Sequence, residues 1–303
     1  LCLHGNQNAI LMDAPPEVED VKPFLKVDKI LAKCGCSVPK IISKDEKKGF
    51  LLLEDFGRYS YSRVVREDAA REEELYHAAI DALAMMGKKG PDKTLKPYDK
   101  KELEREVSLF ADWLLPSIFN ESQVKIMRHQ FMTLWDEVAS TMPLEPQVVV
   151  HRDYHADNLF WLHGKESAEA VGMIDFQDAL SGRAAYDVVS LLKDVRRDVS
   201  PEVEASALKR FIEKSGHDED AFMKDYVFYG VQRNAKILGI FMRLYHRDGK
   251  DIYLNLMPRV WRLFMKDLEH IMFAEMKLWM DAHVTPIMEA RIDSPELLKQ
   301  EAA

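Results

Sequence analysis

Val148-Val149-Val150-His151-Arg152-Asp153-Tyr154-His155-Ala156-Asp157-Asn158-Leu159-Phe160-Trp161 is the densest concentration of chemistry in the chain. An apolar run enters eight residues holding two His, one Arg, two Asp and one Asn, then returns to an apolar run. Polar groups crowded between two buried strands must be satisfied, because burying them unpaired is costly. A short way downstream a second apolar run, Ala170 to Phe176, ends in Ile174-Asp175-Phe176 and sets another carboxylate at a strand end. A turn-borne Asp and Asn with a third acid on a neighbouring strand is the donor set that phosphoryl transfer requires. One carboxylate orients and deprotonates the attacking hydroxyl, while an amide oxygen and a second carboxylate hold Mg²⁺ against phosphates.

Outward from this segment the hydrophobic period divides the chain. Toward the N-terminus, Ala9 to Met12 reads as a strand closed by Asp13-Ala14-Pro15-Pro16, a Pro pair suited to the first turn of a helix. Val27, Ile30, Leu31 and Cys34 mark one helix face, which Gly35 should end. Val38–Ser43 and Phe50–Glu54 read as a hairpin joined by the charged turn Lys44–Gly49. From Glu67 the period becomes helical, over Glu67–Met86, Lys100–Phe119 and Ser122–Met142. Short strands Val148–Val150, Asn158–Leu162 and Ala170–Phe176 follow, and the remainder is helical. One stripe there runs through Val188, Leu191, Leu192 and Val195, another through Trp261, Phe264, Met265 and Leu268. The layout is α+β, with a small strand-rich part, a linker near Glu54–Gly57 and a large mainly helical part. Clefts between such parts are where small ligands bind.

Composition narrows the function. With 303 residues, 47% of them hydrophobic, the chain can bury a core and is not disordered. Lys and Arg number 42 against 51 Asp and Glu, a net charge of −9 that argues against a nucleic-acid binder. No apolar run approaches the length of a membrane span and no leader pattern opens the chain. The three cysteines, Cys2, Cys34 and Cys36, lack metal or redox spacing and read as the thiols of a reducing compartment, so a cytoplasmic location is expected.

The octapeptide His151 to Asn158 has the form H-R-D-x-x-x-x-N, and with Ile174-Asp175-Phe176 it resembles the kinase catalytic loop and metal-binding triplet. With His155 two residues after Asp153, it looks like the aminoglycoside phosphotransferase and choline kinase branch. Met12-Asp13-Ala14-Pro15-Pro16, Phe50 to Gly57, Ile174 to Leu180, Gln232-Arg233-Asn234, Gly239-Ile240-Phe241 and Arg247-Asp248-Gly249-Lys250 extend the likeness to the bacterial N-acetylmuramate/N-acetylglucosamine kinases. The resemblance implies a protein-kinase-like two-lobe fold. Residues 1–57 would form a nucleotide-binding lobe, incomplete at its start, and 58–303 a catalytic and substrate lobe. It implies a phosphotransferase using ATP and Mg²⁺ on a hydroxyl of a small polar acceptor, best matched by an amino sugar, with no nucleic-acid or membrane partner.

The same resemblance assigns roles. Asp153 would be the catalytic base, with Asn158 and Asp175 as metal ligands. His155 would offset phosphate charge or order the loop. Glu54, Asp55 and Phe56 would form the hinge that offers backbone groups to a purine. Asp187 would open a helix and brace the loop, a structural task. Asp178, Arg197 and Arg233 are candidate acceptor contacts, although Arg197 also reads as a helix-end charge and Arg233 as part of an amphipathic core helix. Two departures stand out. The run Ile10-Leu11-Met12-Asp13 lacks the Lys that kinases carry on the third small-lobe strand, and no Gly-rich phosphate loop is present.

Three other readings compete. His151, Asp153, His155 and Asp157 alternate as metal ligands on one strand face would, which suggests a metallohydrolase. A kinase-like binding module without activity would share the fold. An aminoglycoside phosphotransferase would differ only in its acceptor.

Overall fold

The computed structural model describes residues 8–294 and Leu298; Cys2 and Gly5 lie outside the described residues. In chain order the elements begin β1 (Ala9–Asp13), α1 (Lys22–Lys33), β2 (Ile41–Asp45), β3 (Phe50–Glu54), α2 (Tyr61–Glu67) and α3 (Glu72–Gly87). Then come α4 (Lys100–Leu109), a π-helical turn Phe110–Leu114, α5 (Leu115–Ile118) and α6 (Glu121–Ala139). Four three-residue strands follow, β4 (Val148–Val150), β5 (Leu159–Trp161), β6 (Val171–Met173) and β7 (Leu180–Gly182). The chain closes with α7 (Ala185–Leu192), α8 (Pro201–Ser215), α9 (Glu219–Asp248), α10 (Met257–Leu268), α11 (Ala274–His283) and α12 (Thr285–Glu289).

Two compact units contain these elements. The first takes the chain up to Pro97, Pro146–Asp194 and Val199–Phe222. Its antiparallel sheet has the order β1-β3-β2, with Ala9 opposite Glu54 and Asp13 opposite Phe50. Leu51 and Leu53 of β3 point into the core, which the alternation of its sequence requires. β4 pairs with β7 and β5 with β6, each antiparallel, so the polar octapeptide is the connection that leaves one ladder and enters the other. The second unit holds Tyr98–Glu145, Val195–Asp198 and the chain from Met223, and it is helical. Its core stacks Phe110 on Phe131 at 4.6 Å and Trp135 on Phe228 at 5.1 Å.

The expected elements are present with shifted ends, and the shifts have causes. Pro15-Pro16 open a turn, with Val18 N–H bonded to the Pro15 carbonyl, and the helix starts only at Lys22, where Pro23 fills the first turn. β2 begins at Ile41 rather than Val38 because Pro39 has no N–H for the ladder. The single helix expected over Glu67–Met86 is broken: Asp68 is extended, and its carboxylate accepts from Ala70 N–H, a local bond that competes with helix. The helix expected over Lys100–Phe119 widens into the π turn and restarts at Leu115, with Pro116 in its first turn. Within this unit Gly239 of α9 lies so close that a Cβ there would stand 2.2 Å from the Leu109 carbonyl group. The expected stripe ending at Val195 outruns α7, which stops at Leu192. Cys34 and Cys36 are buried free thiols, and burial pushes Cys36 up to about 12, far from a reactive thiolate. Among the described residues no helix is long and apolar enough to cross a membrane.

Candidate active site

β4 ends at Val150, and the next backbone N–H groups belong to His151 and Arg152, which have left the ladder. Both donate to one carboxylate: His151 N–H to Asp187 Oδ2 at 2.6 Å and Arg152 N–H to Asp187 Oδ1 at 2.9 Å. Asp187 sits in the first turn of α7, only 2% exposed, so the helix N-terminus favours its charge while the two donors satisfy it. Without that acceptor a buried donor and a half-buried one would be left unpaired, at roughly 1–3 kcal/mol for the buried group. Arg152 has a φ of 76°, in the left-handed region that non-glycine residues rarely adopt, and its Nη1 donates to the Asp178 carbonyl at 3.3 Å. Asp187 therefore braces the loop as the sequence suggests.

Further anchors fix the loop within the same unit. Tyr154 is fully buried and its hydroxyl donates to the Ala79 carbonyl in α3 at 2.8 Å. Ser62 N–H in α2 donates to the Ala156 carbonyl at 3.1 Å. His151 is sealed, and burial holds its pKa down at about 4 despite the neighbouring Asp153 and Asp175, so the imidazole is neutral at pH 7. It packs edge-on against Tyr154 and Phe176 at 5.5 and 6.3 Å, a structural role.

Asp153, His155, Asn158 and Asp175 come together, and Asn158 is the connecting group. Its amide nitrogen lies 3.0 Å from the Asp153 carbonyl, 3.3 Å from His155 Nε2 and 3.3 Å from Asp175 Oδ2. The first of these bonds sets the orientation of the amide and leaves Oδ1 as its remaining acceptor. His155 is 5% exposed, and its Nε2 faces the Asn158 amide donor, so this nitrogen acts as an acceptor. Ladder geometry brings Asp175 alongside: Leu159 pairs with Met173, and Ile174 N–H donates to the Asn158 carbonyl at 3.1 Å. Asp175 then turns out of the strand with a φ of 63°, and its exposed carboxylate is steadied by Gln177 Nε2 at 2.8 Å. Phe176 is buried and stacks on Phe24 of α1 at 4.8 Å.

The donor chemistry fits a hard divalent cation. Asp175 offers a carboxylate and Asn158 an amide oxygen, and Mg²⁺ characteristically takes one or two such protein oxygens together with phosphates and water. Among the described residues no group of three or more His, Cys, Asp and Glu could hold a metal ion. The alternation of His151, Asp153, His155 and Asp157 does not lie on a strand: all four belong to the connection between β4 and β5, with His151 buried and Asp157 exposed. The geometry that suggested a metallohydrolase is absent.

The hinge candidates stand at the end of β3. Glu54 exchanges bonds with Lys40, donating its N–H to the Lys40 carbonyl at 2.9 Å and accepting the Lys40 N–H at 3.1 Å. Asp55 accepts from Gly57 N–H at 2.7 Å, which closes a turn. Phe56 lies on Gly172 of β6, where a Cβ would stand 2.8 Å from the ring. Glu54 and Phe56 line a cavity of about 520 Å³ together with Ser37, Lys40 and Lys165, and none of Asp153, Asn158 or Asp175 lines it. Asp178 meets the loop through its carbonyl, whereas its side chain is exposed. Arg197 and Arg233 belong to the second unit, Arg197 half-buried after α7 and Arg233 4% exposed on α9.

Sequence reasoning missed Gln177 and Gly172. Gln177 differs from any surface Gln only through its contact with Asp175. Gly172 carried a signal, since a glycine inside an apolar strand marks a close approach.

Residues 1–223 match the phosphotransferase enzyme family. The N-acetylmuramate/N-acetylglucosamine kinase of Pseudomonas aeruginosa is 38% identical over 266 residues, which cover 85% of this chain and 76% of that protein. Its namesake from Caulobacter vibrioides is 33% identical over 317 residues, covering 92% and 87%. Among solved structures, choline kinase LicA from Streptococcus pneumoniae superposes with a TM-score of 0.60 at 11% identity, covering 88% of both chains. ADP-bound aminoglycoside phosphotransferase APH(2'')-Ib gives a TM-score of 0.53 at 18% identity, covering 83% of this chain and 82% of that one. At such identities the structural likeness speaks to the fold, which is the protein-kinase-like α+β fold of those enzymes.

Proposed function

This chain belongs to the phosphotransferase enzyme family, and on that premise we propose that it transfers the γ-phosphate of ATP to a hydroxyl of an amino sugar of the N-acetylmuramate/N-acetylglucosamine type. The observation that carries the reading is the Asn158 amide, which joins the catalytic-loop Asp153 to the strand-end Asp175. The relatives named as kinases of those two sugars, alike over most of their length, support the acceptor class.

In this reading Asp153 accepts the proton of the attacking hydroxyl and orients it in line with the phosphorus. Asn158 and Asp175 would hold Mg²⁺, which when bound would neutralise charge on the phosphate oxygens. His155 positions Asn158, and Asp187 fixes the backbone from which Asp153 projects. Glu54, Asp55 and Phe56 offer hinge backbone to the purine, so residues 1–57 serve the nucleotide and 58–303 serve catalysis and the acceptor. Asp178, Arg197 and Arg233 are acceptor contacts. Arg233 suits an acidic acceptor, because its buried guanidinium has an Nη1 without a hydrogen-bond partner among the described residues. ATP as donor is consistent with a cytoplasmic enzyme.

An acceptor panel tests this. Acceptor-dependent ADP release with ATP and Mg²⁺ is expected with N-acetylmuramate or N-acetylglucosamine. Release only with aminoglycosides or choline-like alcohols would replace the acceptor assignment. Nucleotide binding with no release on any acceptor would make the chain a binding module.

A further inference from the structure

Helix α1 has two faces of opposite character. Lys22, Lys26, Lys29 and Lys33 fall within about 60° of one another around its axis at 3.6 residues per turn. The opposite face holds Phe24, Val27 and Leu31, all buried, with Phe24 stacked on Phe176. The lysine face is therefore not a packing surface. It forms one wall of a concave cavity of about 400 Å³, to which Lys44 of β2 adds a fifth ammonium group.

The carboxylates at that cavity do not balance the lysines. Glu46 is taken by Lys44 at 2.6 Å. Asp92 accepts from the Thr94 N–H at 2.8 Å and the Thr94 hydroxyl at 2.6 Å, which holds a turn. Lys26 donates to the Thr94 carbonyl. Among the described residues Lys22, Lys29 and Lys33 have no carboxylate within ion-pair distance. Like charges spaced three and four apart on a helix repel one another and destabilise it. This local positive excess stands against a net charge of −9 for the whole chain.

We infer that this lysine-walled cavity binds a small anion bearing two or more phosphate groups, at a place separate from Asp153 and Asp175. Ammonium groups on flexible stems converge on such a ligand as point charges. Its binding removes the repulsion along α1. The cavity has the size of a small-ligand site rather than that of a flat docking face, and the overall negative charge disfavours extended polyanionic surfaces.

Inorganic tripolyphosphate is the probe, titrated calorimetrically without divalent cation into the whole chain and into the variant Lys29→Gln/Lys33→Gln. The substitutions leave the buried face of α1 intact and lessen its self-repulsion, so circular dichroism should be unchanged; if it changes, Lys29→Gln and Lys33→Gln are measured singly. Each exposed charge contact is worth up to about 1 kcal/mol, so losing two should weaken binding by up to about thirtyfold. A parallel arm sediments the chain with phosphatidylglycerol vesicles. The inference is overturned if tripolyphosphate does not bind, if the lysine variants bind it as tightly as the parent, or if the chain pellets with vesicles while ignoring tripolyphosphate.

Discussion

Asp175 has a backbone that glycine would adopt more easily, with a φ of 63° at the point where its carboxylate leaves the strand. Residues held in such conformations cost of order 1–3 kcal/mol, with Asp at the lower end because it tolerates the left-handed region better than most. Function and stability therefore pull apart at one position. Replacing Asp175→Gly should leave the melting temperature equal or slightly higher while abolishing Mg²⁺-dependent nucleotide binding. Thermal unfolding and calorimetric nucleotide titration read the two effects separately. A marked loss of stability would mean that the Gln177 bond to this carboxylate outweighs the strain. Asp153, Asn158 and Asp175 are legible in sequence because their types and spacing are local. Gln177 is not, because its importance comes from one contact that only the fold creates.

At the level of elements, β6 is a three-residue strand whose middle residue, Gly172, lets the Phe56 ring lie against the backbone. A methyl group there would stand 2.8 Å from two ring carbons, well inside contact distance, so the ring must move. Since the β3–α2 connection carries both Phe56 and the backbone proposed as the nucleotide hinge, Gly172→Ala should raise the KM for nucleotide several-fold and change kcat little. Steady-state kinetics with the acceptor saturating would detect this, and an unchanged KM would separate Phe56 from the nucleotide. The hairpin, the helix ended at Gly35 and the strands flanking the catalytic loop could all be read from period and turn residues. Helix ends could not. The break at Asp68 depends on a side-chain bond to Ala70, and the π turn at Phe110–Leu114 lies beside a glycine on α9, far away in sequence.

For the molecule as a whole, each compact unit is assembled from segments far apart in the chain, an arrangement that no linear composition shift announces. Within the first unit, α3 and α8 are joined by Asp81, which meets Arg210 at 2.7 Å, Lys214 at 3.0 Å and the Ser167 hydroxyl at 2.7 Å. Burial alone would raise the Asp81 carboxyl, but hydrogen bonds from Arg210, Ser167 and Lys214 outweigh it and hold it at about 2. The unfolded chain takes up this proton near the ordinary value of 3.8, so the contribution is complete above that pH and is lost as pH falls toward about 2. The melting temperature of Asp81→Asn should therefore lie furthest below the parent's near neutrality, with the gap closing below about pH 4. A gap that is constant across this range would deny Asp81 its linkage role. The central claim is that Asp153 takes the acceptor's proton while the nucleotide is held by other groups. Single-turnover transfer of labelled γ-phosphate from ATP to N-acetylmuramate, compared between the parent and Asp153→Asn, tests it most directly. The account predicts a rate about 10²–10⁴-fold lower with nucleotide affinity preserved; transfer at the parent's rate would contradict it.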